Sequence, residues 1–379
     1  MRWPPGFSSA GVACGIKATG DLDLGLLVAA RPVAWAGTFT RNAAAAAPVR
    51  WCRTLTGRRV RAIVVNSGNA NACTGDGGEA AVLRTASLAA STVGCSFDEV
   101  LVASTGIIGT ALPVEKVRSG LKRAVTALGP GAEDFARAIL TTDTCIKTVT
   151  AAAGCATVVG VAKGAAMVAP NMATMLAFIA TDAAVPTAVL QASLDGGVAR
   201  SFNRISIDAC ESTNDSVFLL ASGEAEGVDE GEFARAVQKV CGELSAQIVA
   251  DAEGATRVVA IKVKGAADER TAAELARAVA ASCLWRAAAH GSDPNWGRVL
   301  AALGSVERSL ELAEVSVVVG GETLFSSGEP AGDVRCAAEA MQADRFEVSC
   351  VVGSGSGEAE ILSCDLSEEY VRLNAEGMT

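Results

Sequence analysis

From Gly164 to Ala180 the chain runs for 17 residues without a charge, GAAMVAPNMATMLAFIA. No other segment is so apolar, and whatever the chain folds into must bury it. A membrane span needs about 20 apolar residues in one helix. This run falls short, and Pro170 and Asn171 sit near its centre, where a helix would break. The pattern predicts a turn at Pro170-Asn171 that leads into a strand over 175–180, MLAFIA. Thr174 then stands at the start of the strand, with the small residue Ala173 before it.

Other strand-like runs are Val60–Asn66, Ala156–Val161, Val258–Val263, Val315–Val319, Phe346–Val352 and Glu360–Cys364. Helical spacing is clear over 232–250, where Phe233, Val237, Val240, Cys241, Leu244 and Ile248 fall on one face. The stretches 114–128 and 270–289 read the same way. Strands and helices alternate irregularly, with several strands adjacent, which predicts an α/β layered (α+β) architecture rather than a doubly wound one. Aromatic residues are only 4% of the chain, so small side chains must do most of the packing. The segments Gly223–Gly231 and Gly353–Ala359 read as surface loops. Gly353, Gly355 and Gly357 follow a strand, but they lead into another strand, so the helix that phosphate binding requires is missing.

The formal net charge of −10 and the lack of a Lys/Arg stripe argue against nucleic acid as a partner. Twelve cysteines include no C-x-x-C pair, and His290 is the only histidine. A zinc-type metal site is therefore not expected, nor is any other cofactor site. The cysteines read as reduced, mostly buried thiols. The N-terminus, MRWPPGFSSAG, has a Pro pair where a signal peptide needs an apolar helix, so a cytoplasmic, non-membrane protein is expected. His290 precedes Gly291 and reads as a loop or helix-terminal residue, which leaves a histidine-based triad without its base.

A hydroxyl can be activated without histidine. If the peptide bond before a Ser, Thr or Cys is cut, the new α-amine adjoins the side chain, and its pKa of about 7.7–8.0 suits it as a base near neutral pH. Ala173-Thr174, between a turn and a strand, has the features such a site needs. A Thr that merely opens an apolar strand is also ordinary, because β-branched residues favour strands. The residues alone leave both readings open.

APNMATML (169–176), with Lys163-Gly164 before it, resembles the signature of the ornithine acetyltransferase (glutamate N-acetyltransferase) family of arginine biosynthesis. Further blocks are similar in the family's order: PPGFSSAGVACGIK, NSGNANACTG (66–75), STGIIG (104–109), TTDT (141–144), FNRISID…STND (202–215), DAEGAT (251–256), GSDPNWGR (291–298) and the terminal YVRLNAEGMT. The chain departs from the usual pattern at Ala166, at Ala209-Cys210-Glu211 and in its last three residues.

The resemblance implies a sandwich fold shared with self-cleaving aminopeptidases. It implies an acyltransferase domain over 1–256 and a smaller α+β domain over 257–379 that closes the active site. It also implies cleavage between Ala173 and Thr174 into an alpha chain (1–173) and a beta chain (174–379), assembled as two of each. Thr174 would be the nucleophile, and Thr105 and Gly106 the oxyanion hole. Thr144, Lys163, Thr174, Glu253, Asn374 and Thr379 would meet the substrates, N-acetylornithine and glutamate. The implied reaction is ping-pong acetyl transfer. Two other readings stand beside it: a hydrolase of the same fold, in which water replaces glutamate, and an unprocessed, non-catalytic relative. Retention of Thr174, Thr105, Gly106 and Lys163 together argues against the second.

Overall fold

The computed structural model describes residues 1–169 and 175–376. It divides into two compact units. Of the described residues, one comprises Met1–Asn203 and Glu211–Ile248; the other comprises Arg204–Cys210 and residues 249–376. The sequence reading puts its domain change at 256/257. Nothing in RISIDAC signals that this short piece joins the second unit, which it does through a two-residue strand.

The chain opens with β1 (Phe7–Val12), β2 (Leu24–Phe39), α1 (Ala47–Thr54), β3 (Val60–Asn69), α2 (Gly75–Val93) and β4 (Val100–Ile107). Next come α3 (Val114–Thr126), α4 (Glu133–Ala138), β5 (Lys147–Ala153), β6 (Ala156–Lys163) and β7 (Leu176–Ala183). Then follow α5 (Thr187–Ala199), β8 (Ile205–Ser206), β9 (Ser216–Ala225) and α6 (Glu230–Ala250).

The strand order in the first unit is β4-β3-β2-β9-β7-β6-β5, with β1 added on β2. Strand β2 makes two layers of it. Its residues Leu24–Val28 pair with β3, and Ala34–Phe39 pair with β9, with the register broken between Val28 and Val33. Pro32, half-buried at that break, has no N–H to give a ladder, so the strand can leave one layer and enter the other. A core lies between the layers, with Leu27, Ile63 and Leu101 from one and Val159, Phe178 and Phe218 from the other. Outside the first layer, α2 and α3 pack Val82, Ala86, Val117 and Leu121 against Leu26, Val64 and Val102. Outside the second layer, α6 sets Val240 and Leu244 over Gly160, where an added Cβ would meet them at 2.5 and 2.8 Å. The order of layers is helix, sheet, sheet, helix, the layered sandwich that the sequence predicts.

The end of the uncharged run, residues 176–180, now has its place. Strand β7 lies parallel to β9 on one side and antiparallel to β6 on the other, and all eight of its residues are buried. A strand covered on both faces reads as a continuous apolar run. Phe178 stacks on Phe218 with ring centroids 5.6 Å apart and meets Phe135 edge-on at 5.1 Å. Each such ring contributes about 1.5–3 kcal/mol through burial. Half of the chain's sixteen aromatics lie in or against this core.

After α6 come β10 (Val258–Ala266), α7 (Glu269–Ala281), α8 (Cys283–His290), α9 (Trp296–Val306), β11 (Ser316–Val319), β12 (Glu322–Ser326) and β13 (Glu329–Pro330). The last elements are α10 (Val334–Ala340), β14 (Arg345–Val351), β15 (Gly357–Cys364) and α11 (Glu368–Glu376). Their sheet runs β13-β12-β11-β14-β10-β15-β8. Leu275, Val279, Trp285, Val299 and Leu303 of α7, α8 and α9 share one core with Val259, Ile261, Val317 and Val348. The single helix expected over 270–289 is two. Ser282 adopts an extended backbone and its side chain accepts the Trp285 N–H, capping α8. The loop expected over 353–359 also ends early, because β15 begins at Gly357.

The cysteine expectation needs correction. Cys14, Cys52, Cys241, Cys350 and Cys364 are buried, but six others are exposed. Burial pushes the thiols of Cys52, Cys241 and Cys350 up to about 12, which keeps them inert. Among the described residues no helix is long and apolar enough to cross a membrane.

Candidate active site

Parallel strands β3 and β4 end side by side, with Ser67 opposite Thr105 and Gly68 opposite Gly106, and the register shifts just beyond. Gly106 has φ 130°, and a Cβ there would lie 2.4 Å from the Gly68 carbonyl carbon and 2.5 Å from the Asn69 nitrogen. Only glycine fits. The irregularity turns the strand end while Thr105 stays buried.

Strand β6 ends at Lys163, which pairs with Leu176, two residues beyond Thr174. The Lys163 ammonium is buried. It donates to Thr141 Oγ1 at 2.6 Å and to Thr105 Oγ1 at 3.4 Å, and lies 3.7 Å from Asp143 Oδ2. Asp143 Oδ1 accepts from Lys147 Nζ at 2.7 Å and from the Gly164 N–H at 2.6 Å. Burial alone would raise the Asp143 carboxyl. The Lys163 and Lys147 ammonium groups and the Gly164 N–H outweigh it and hold the carboxyl at about 2. The contact at Thr105 uses the hydroxyl's lone pair, which leaves its proton free to be donated elsewhere.

Asp143 makes a prediction about stability. Its folded value lies below the ordinary 3.8, so its stabilising effect is full above that value and is lost as pH falls toward 2. The drop is worth roughly 2 kcal/mol. Asp143→Asn should therefore melt well below the parent at pH 7, and the gap should close as melts are repeated down to pH 2. A gap that stays constant with pH would contradict the ion pairing.

Two further polar residues reach the same strand ends. Asn214 Nδ2 donates to the Ser104 carbonyl at 2.8 Å and to the Ala70 carbonyl at 2.7 Å. Asp215 Oδ1 accepts the Met175 N–H at 3.0 Å. Complete burial pushes the Asp215 carboxyl well above the usual carboxylate range.

Of the residues singled out in the sequence, Thr105, Gly106 and Lys163 come together. Thr144 follows Asp143 in an exposed loop. Ala173, Thr174 and Thr379 lie outside the described residues. In the second unit, Asn374 of α11 donates to Glu253 Oε2 at 2.9 Å, so two of the expected substrate residues touch one another. His290 ends α8, as its sequence context predicts, with Nδ1 2.7 Å from Asp365 Oδ2. Thr141, Asp143, Lys147, Asn214 and Asp215 were not singled out. A carboxylate directly before an apolar strand, as in ND-SVFLLAS, was the available signal for Asp215.

A layered α/β sandwich thus brings a glycine strand end and a hydroxyl beside a buried ammonium, an arrangement that acyl-transfer chemistry can use. The ArgJ family model matches residues 8–379. The arginine biosynthesis bifunctional protein ArgJ of Thermus thermophilus is 45% identical over 377 residues, 99% of this chain and 98% of that protein. The protein of the same name from Deinococcus radiodurans is 43% identical, covering 100% and 98%. A crystal structure of ArgJ from Bacillus halodurans is 32% identical with a TM-score of 0.50, over 53% of this chain and 98% of that one. The chain belongs to the ArgJ family.

Proposed function

We propose that this chain is a glutamate N-acetyltransferase of arginine biosynthesis that cuts itself between Ala173 and Thr174 and then moves the acetyl group of N-acetylornithine to glutamate through Thr174. The observation that carries the chemistry is the meeting of Lys163 and Thr105 beside the Gly106 turn. Thr174 Oγ attacks the amide carbonyl, and its proton passes to the adjacent α-amine. The Thr105 O–H and a Gly106 N–H stabilise the oxyanion. The C–N bond breaks, the leaving amine takes the proton, and ornithine departs. The α-amine of glutamate then attacks the acetyl ester, releasing N-acetylglutamate and restoring the hydroxyl. Lys163 supports the Thr105 hydroxyl and offers a cation to a substrate carboxylate. Thr144, Glu253, Asn374 and Thr379 complete substrate binding in this reading.

Self-cleavage has support from length. The Bacillus halodurans chain is matched over 98% of its length by 53% of this one. A piece of 206 residues (379 − 173) would be a similar share, 206/379, of this chain. The two pieces stay together, two of each per assembly, in the cytoplasm.

Incubation with N-acetylornithine alone should add about 42 Da, one C₂H₂O unit, to the 174–379 piece as a covalent intermediate. Glutamate should discharge it as N-acetylglutamate, with parallel initial-rate plots. Intersecting plots with no acetylated piece would mean direct transfer in a ternary complex and would remove Thr174 as the acyl carrier.

A further inference from the structure

Asn214 and Asp215 are consecutive residues, yet they hold two different parts of the site. Asn214 grips the carbonyl of Ser104, the residue before Thr105. Its own orientation is fixed, because its Oδ1 accepts the Thr213 hydroxyl at 2.6 Å and its Nδ2 also reaches Ala70. Asp215 accepts the Met175 N–H, the amide of the peptide bond that joins Thr174 to Met175. Both side chains are buried, so neither contact is loosened by water.

We propose that Asn214 and Asp215 are positioning residues for acyl transfer, one peptide unit that ties the oxyanion strand to the strand opened by the nucleophile. Neighbouring Cα atoms are held about 3.8 Å apart, so the two grips cannot drift relative to one another. Attack requires the hydroxyl and the oxyanion donors to meet at one carbonyl, and a misplacement of about 1 Å can cost on the order of 10²-fold. The role rests on Thr174 being the nucleophile.

The test combines kinetics with amide exchange. Asp215→Ala removes the acceptor for the Met175 N–H. It should lower kcat about 10²-fold while KM for N-acetylornithine stays within about twofold, because the substrate contacts are untouched. Asp215→Asn keeps an acceptor oxygen and should recover kcat to within about tenfold of the parent. Asn214→Ala, which releases the other strand, should lose about as much as Asp215→Ala, and the double variant should lose much less than the product of the two, since either break opens the same tie. Asn214→Ala also serves as the test if Asp215→Ala does not fold. The chain has six methionines, so selective ¹⁵N-methionine labelling can follow the Met175 amide. It should exchange slowly in the parent and much faster in Asp215→Ala. Parent-like kcat in both single variants, or a Met175 amide equally fast in parent and variant, would sink the role while leaving Thr174 in place. A parent enzyme that forms no acetylated piece would sink the nucleophile assignment, and this role with it.

Discussion

Intact-mass measurement of the purified protein should give two polypeptides, of 173 and 206 residues (379 − 173), and Thr174→Ala should give one of 38.3 kDa with no acetyl transfer. By proportion the pieces are roughly 17 and 21 kDa, taking mass to scale with residue count. The argument is chemical. A hydroxyl nucleophile needs a base, and the chain's one histidine, His290, belongs to the second unit, with Nδ1 2.7 Å from Asp365 Oδ2. An α-amine created at Thr174 supplies that base only after the chain is cut, and the cut itself needs the hydroxyl. Removing the oxygen therefore stops both events, whereas Thr174→Ser should still process. Two pieces cut at 173/174 in the Ala variant would show that another group makes the cut.

The fold was legible wherever one element carried its own period. Strand β7 announced itself through the apolar residues 176–180, because both of its faces are covered, although it runs on through the buried Thr181 and Asp182, and α6 did so through its 3–4 residue spacing. The long strand β2 did not. Its two halves serve different layers, so its pattern of buried residues obeys no single alternation. The break at Ser282 was invisible because the apolar spacing continues through it, and only the side-chain cap decides it.

Gly106 entered the sequence reading only through the resemblance of STGIIG, and the structure gives a physical reason for a glycine there, since an added Cβ would strike Gly68 and Asn69. The carboxylates were harder. Asp143 and Asp215 look alike in sequence, each after hydroxyl-bearing residues. Yet the first is held ionised by two ammonium groups, and the second is pushed toward its neutral form by burial. That difference is set by what the fold brings near them, two ammonium groups and the Gly164 N–H outweighing burial in one case and complete burial outweighing its polar neighbours in the other, and no local motif records it. Glu253 and Asn374 are 121 positions apart and meet only through the docking of α11 within the second unit.

Gly106→Ala should fold and lose at least about 10³-fold in turnover, more than Thr105→Ala, for which one lost oxyanion donor implies about 10²–10³-fold. The two changes act differently. Thr105→Ala deletes a hydroxyl at a buried position and leaves the backbone alone, so Thr105→Ser, which restores the oxygen, should recover most of the rate. Gly106→Ala leaves every polar group in place. Its Cβ would enter the space of the Gly68 carbonyl and the Asn69 nitrogen, and φ 130° lies where side chains are rarely tolerated. The strand end must then move away from β3, and it carries both proposed donors with it. The clash is confined to the last residues of β4, while its buried body, Val100 to Ala103, keeps its partners in β3, so thermal melts should show a loss of only about 1–3 kcal/mol. Purified Gly106→Ala with a clean melt and parent-like turnover would show that this strand end is not where the oxyanion is held. A Thr105→Ala variant that keeps full rate beside an inactive Gly106→Ala would narrow the donor to the backbone N–H and leave Lys163 without a hydroxyl to support.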